Sequence, residues 1–126
     1  MKRAPLVLIG AAWCLASVSA AAHHAFAAEF DINKPVQLTG TVTKIEWTNP
    51  HAWLFIDAKD DSGAVHNWAI ELVGINDLLR LGWGRDRVKA GDTISVVGFG
   101  ARNGTNTANA ASVTLASTGE LLWESA

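Results

Sequence analysis

The chain has 126 residues, with ten Lys and Arg against twelve Asp and Glu, a net charge of −2 and a single cysteine. That length holds one ordinary domain, the lone cysteine excludes an internal disulfide or a cysteine-rich metal cluster, and the charge balance argues against a nucleic-acid-binding surface. Six tryptophans with no tyrosine pose a question of placement, because a large apolar ring is either buried or exposed for a purpose.

Lys2 and Arg3 form a basic head, Ala4 to Ala16 is an uncharged apolar run, and Ser17-Val18-Ser19-Ala20-Ala21-Ala22 supplies small residues. This pattern predicts a secretory signal over residues 1–22, cut after Ala20 or after Ala22, and a periplasmic mature protein. The apolar run is shorter than the ~20 residues that span a bilayer, and no second one follows, so no membrane association is expected after cleavage. Cys14 follows Trp13 in mid-run, which is not a lipid-acceptor context, and both residues leave with the signal. Cutting after Ala20 removes Lys2 and Arg3, giving a net charge of 8 − 12 = −4 over 126 − 20 = 106 residues. A domain of that size buries roughly two thirds of its unfolded surface without disulfides.

An N-terminal arm from His23 to Pro35 precedes the run Val36 to Trp47, which is β-branched and alternating and reads as a long first strand, bent at Gly40. Thr48-Asn49-Pro50-His51 is a tight corner. Ala52 to Lys59 forms the second strand, Asp60 to Gly63 a four-residue turn, and Ala64 to Leu72 the third strand. A short helix over Ile75 to Leu81 ends at Gly82. Strands follow at Thr93 to Gly100, Ala110 to Ala116 and Leu121 to Trp123, with a polar loop from Asn103 to about Asn109. Three strands, a helix and two further strands, with a bent first strand, predict an all-β fold with one helix: a small five- to six-stranded OB-like β-barrel over residues 36–126. An open meander or sandwich of the same strands is the alternative.

A four-residue turn sets Asp57 opposite His66 and His51 opposite Leu72, beside Glu71. His51 and His66 then lie near opposite ends of the hairpin, ~20 Å apart, and cannot share one metal ion. In the same register Trp53 and Phe55 share a face with Trp68. Those three rings, left outside a barrel filled by the smaller aliphatic set, form a candidate platform for a glycan or peptide. Alternatively the arm, through Phe26 and Phe30, lies across them as a second small core.

His23 and His24 begin, or nearly begin, the expected mature chain. A start at Ala21 offers the terminal amine, backbone nitrogens and the His23 imidazole for Cu(II); a start at His23 offers amine and ring. His51 at the barrel mouth is placed to complete a site of His23, His24 and His51, with copper as the first cation to test. The alternative is a polar arm and a corner whose histidine bonds to backbone. No cysteine nucleophile, nucleophile elbow, phosphate loop or His-Glu-x-x-His helix is present, so no catalytic residue is assigned and the protein is expected not to be an enzyme.

The arm His23-His24-Ala25-Phe26, the run Val36 to Val42, the corner Glu46-Trp47-Thr48-Asn49-Pro50-His51 and the stretch from Gly82-Trp83 to Gly91-Asp92 together resemble an exported proteobacterial family of unknown function. The resemblance covers nearly the whole mature chain, and Ala90 replaces a proline common in that family. It implies periplasmic location and a small β-barrel, and no reaction. The functions to weigh are therefore a metal-binding module, an aromatic platform, and a non-catalytic accessory subunit of an envelope complex.

Overall fold

In the computed structural model, described over residues 25–125, a helical turn at residues 25–29 leads directly into β1 (Phe30–Glu46), which is followed by β2 (Trp53–Lys59) and β3 (Val65–Glu71). A short helix α1 (Ile75–Arg80) precedes β4 (Thr93–Ala101), β5 (Thr107–Leu115) and β6 (Leu121–Glu124). The signal predicted at residues 1–22, together with His23 and His24, lies outside the described residues.

The six strands form one sheet in the order β3-β2-β1-β4-β5-β6, and an additional pairing of β3 with β5 closes five of them into a barrel-like ring. All neighbours are antiparallel except β3 and β5, whose ladder runs Ala69↔Thr107, Ile70↔Ala108 and Glu71↔Asn109. This is the β-rich, OB-like architecture with one short helix that the element order predicts. Closure removes most free sheet edges.

Gly40 sits at the bend as expected. It pairs with Ala58 on one side and Ile94 on the other, and a Cβ there would lie 2.5 Å from the Asp57 carbonyl oxygen. No residue with a side chain fits this close backbone approach.

The ring interior is filled by aliphatic residues from every strand, among them Val42, Leu54, Ile56, Ile70, Ile94 and Val113, all essentially inaccessible. At ~1.5–3 kcal/mol for each side chain fully buried, this filling is the main source of stability. One end is plugged by Leu78 of α1 with Trp83, Val88 and Trp123. The Trp83 indole Nε1 donates to the Leu122 carbonyl at 2.6 Å. Two of the tryptophans are thus structural.

Two boundaries differ from expectation. β1 begins at Phe30, not Val36, so residues 30–35, assigned to the arm, are strand. They pair only with β4, through Phe30↔Ala101 and Pro35↔Phe99, whereas pairing with β2 starts at Gly40. A one-sided strand tolerates Pro35 and polar residues, which is why its pattern is weak. β5 begins at Thr107, inside the stretch read as loop.

The larger difference is register. Lys59 pairs with Val65, not Ala64, so five residues connect β2 to β3: Asp60 N donates to Ala64 O at 2.9 Å, and Gly63 turns the chain at φ 84°. His66 therefore opposes Ala58, and Trp68 opposes Ile56. A shift of one residue moves every β3 side chain to the other face. Trp68 and His66 belong to the inward set with Ile56 and Ala58, while Ala69 and Glu71 share the face of Phe55 and Trp53.

Candidate functional site

The corner between β1 and β2 is built by local chemistry. Asn49 and Pro50 are joined by a cis peptide bond, and Asn49 Oδ1 accepts the Ile75 amide at 3.0 Å, capping α1 from outside the helix. The Thr48 hydroxyl donates to the His51 carbonyl at 2.7 Å. Backbone bonds between Ala52 and both Leu72 and Val73 extend the hairpin past the strand ends. Thus the His51 backbone is fixed, and its ring is directed at Glu71: His51 Nδ1 lies 3.7 Å from Glu71 Oε1. His51 lies beside Glu71 as expected, although Leu72 pairs with Ala52 and not with His51.

Among the described residues, Glu71 is the one charged side chain buried with the core, at 6 % exposure. Its Oε1 accepts from Asn109 Nδ2 at 3.2 Å. Burial pushes the Glu71 carboxyl up from its ordinary value and the Glu29 charge adds to this, against the opposing influences of His51 and Asn109. An ionised carboxylate in such a position gains from a cation in reach. The reach exists: His51, Glu71, Asn109 and Glu29 wall a cavity of about 470 Å³, together with Ala25 and Phe26 from the helical turn.

The turn is held on the sheet from two directions. Phe26 packs against Phe30 at 5.7 Å between ring centroids and edge-on against Phe99 at 6.0 Å. Arg102 donates from Nε to the Ala27 carbonyl at 2.5 Å, and from its backbone amide to the Glu29 carbonyl at 2.9 Å. The arm aromatics therefore join Phe99 of β4, not the three rings of the expected platform. Glu29 and Asn109 were not singled out in the sequence; they join the site through the fold of the turn and the β3–β5 ladder.

Those three rings do not form one surface. Trp53 and Phe55 share the outer face, and Trp68 faces the interior side with Ile56. Phe55 carries the Lys44 ammonium 5.0 Å above its ring. Trp53 lines a separate cavity of about 380 Å³ with Arg102, Asn103 and Thr107. Trp68 lines another, of about 260 Å³, at the turn between β2 and β3. The expected partner of His66 changes with the register: His66 Nε2 meets Asp60 Oδ2 at 2.7 Å, and Asp57 instead accepts from Asn67 at 2.9 Å. His51 and His66 line different cavities.

As a metal centre, the described part of the site offers one imidazole nitrogen and one carboxylate oxygen. Two ligand atoms each ~2.0–2.2 Å from an ion lie at most ~4.4 Å apart, so 3.7 Å admits one ion between them. Among the described residues no group of three or more His, Cys, Asp and Glu is placed to hold a metal. His23 and His24, the other predicted ligands, lie outside the described residues, and the chain continues from His24 into Ala25 on the cavity wall.

No curated protein matches the chain. The sequence profile of a family of unknown function, DUF6152, matches residues 12–110, which is 99 of the 126 positions. With that span covering the helical turn, the His51 corner, Glu71 and Asn109, the chain belongs to the family of unknown function DUF6152.

Proposed function

We propose that this is an exported, non-catalytic periplasmic binding protein whose ligand is a transition-metal cation such as Cu(II), held between His51 and Glu71 with His23 and His24 supplying further nitrogens. The observation that carries the reading is the buried Glu71 carboxylate facing His51 across 3.7 Å at a cavity that Ala25 lines. A nitrogen and oxygen donor set suits Cu(II). Ala25 is the residue next to His24, and consecutive Cα atoms are 3.8 Å apart. The helical turn pinned by Phe26 and Arg102 fixes Ala25, the residue that follows His24 in the chain, on the cavity wall. Asn109 orients Glu71, the part that outer partners play for metal-ligating groups.

The test is isothermal titration of signal-processed protein with copper(II) chloride. Glu71→Gln preserves the acceptor for Asn109 and removes the charge; it and His51→Ala are expected to weaken binding by more than about tenfold, since losing even an outer partner of a ligand costs ~10–100-fold. His23→Ala with His24→Ala is expected to do the same. If both Glu71→Gln and His51→Ala bind copper as tightly as the parent, the cavity is not the site and the reading fails.

A further inference from the structure

A separate cavity of about 260 Å³ opens at the turn between β2 and β3, where Ala58 of β2 and Leu38 of β1 are among the residues that line it. Trp68 packs against the core and also lines this cavity. Its indole nitrogen bonds to no described residue, unlike that of Trp83, and is not among the buried unpaired atoms, of which there are none. The ring thus presents a flat apolar wall and an available N–H donor.

The rim is polar and held in place. Asp60 Oδ1 accepts from the Ser62 amide at 2.9 Å, the Ser62 hydroxyl at 2.6 Å and the Ala64 amide at 3.0 Å. Asp60 Oδ2 faces His66 Nε2 at 2.7 Å. Because an ionised Asp60 can only accept, Nε2 carries the proton and donates, and in the neutral form of the ring Nδ1 is an acceptor. Lys59 and Asn106 complete the wall. Lys59 and Asp60 bring charges of opposite sign to this wall. A flat apolar face, donors from Lys59 and Asn106, and an acceptor on His66 match a neutral ligand with one C–H face and a fringe of hydroxyls.

We propose that the mouth formed by Trp68, His66, Asp60, Lys59 and Asn106 is a second binding site, for a neutral saccharide that stacks on the Trp68 indole and places its hydroxyls on the fixed rim. A rim held by the Asp60 bonds loses little freedom on binding. The site does not depend on the His51–Glu71 pair, which lines a different cavity.

The test is titration of the full mature protein with neutral glucose and N-acetylglucosamine disaccharides, followed through the Trp68 indole N–H signal in ¹H–¹⁵N spectra. That signal is assigned by its loss in Trp68→Phe. The expected result is a saturable shift in the millimolar range, as suits a ligand with few contacts. His66→Ala and Asp60→Asn, both at exposed positions, are expected to weaken it about tenfold, the scale of losing a hydrogen-bonding partner, while the other indole signals report an intact fold. Glu71→Gln is expected to leave it unchanged. The proposal is overturned by no saturable shift with any disaccharide, by an unchanged affinity in His66→Ala and Asp60→Asn, or by a shift confined to the Trp53 signal. A peptide adding to the free edge of β3 at residues 65–68 would move backbone amides without needing the His66 ring; an affinity for such strands alone also overturns it.

Discussion

The cavity at the corner and the cavity at the β2–β3 turn face different chemistry although β2 and β3 run between them. At the corner, β3 holds the buried Glu71 carboxylate against the exposed His51 ring, with the Glu29 charge nearby. At the turn end, the same two strands present Trp68 with an exposed set of Lys59, Asp60 and His66. A buried carboxylate calls for a cation, and a shallow indole with a polar rim calls for a flat polar molecule.

What the mouths share is the aliphatic filling between them, and disturbing it should affect both. Ile56 is fully buried in that layer, and Ile56→Ala is expected to cost about 2–5 kcal/mol in urea denaturation, lowering occupancy of both sites together. If such a variant loses copper binding while the Trp68 signal is unperturbed, the two ends are less tightly joined than the closed ring implies.

Asn109→Ala separates the mouths more selectively. It removes the hydrogen bond to Glu71 and leaves a buried acceptor with fewer partners, an effect of about 1–2 kcal/mol on the thermal midpoint. Copper affinity should fall by less than in Glu71→Gln, with the Trp68 mouth untouched. An Asn109→Ala protein as stable as the parent would show that Glu71 is not held from β5.

The smallest effect is expected at Asp60. Bonds from Ser62 and His66 hold its carboxyl well below the ordinary aspartate value of 3.8. A lowered folded-state pKa means that the group stabilises the fold at pH above that ordinary value, and that this contribution is lost as pH falls below it. Asp60→Asn is therefore expected to lower the thermal midpoint slightly at pH 7 and to flatten its decline below about pH 4. Since Asp60 is exposed, the change is small; copper binding should not respond.

How far the sequence carries can be judged on the same two mouths. β2, the bend at Gly40 and α1 are legible because composition and punctuation agree there: a short apolar run in β2 between the Asn49-Pro50 corner and the Asp60 turn, a glycine where backbones nearly touch, and an apolar helical face that ends at Gly82. The nearness of His51 to Glu71 is legible because it survives a one-residue slip of the hairpin. The face of Trp68 is not, because it turns on whether Ala64 belongs to the turn or to the strand, and Ala64 is apolar enough to read as strand. The hydrogen bond from Ala64 N to Asp60 Oδ1 decides the matter, a contact that no local pattern specifies. Glu29 and Asn109 are hidden for a different reason. They reach the corner through the long-range docking of Arg102 on the helical turn and the parallel β3–β5 ladder, both set by tertiary structure.

The most direct measurement of the central claim is paramagnetic broadening by Cu(II) in ¹H–¹⁵N spectra of the signal-processed protein. Substoichiometric copper is expected to erase the amide signals of Glu29, His51, Glu71 and Asn109 together while sparing His66 and Trp68 at the other mouth. Broadening confined to the residues before Phe26, with His51 and Glu71 sharp, would contradict the account.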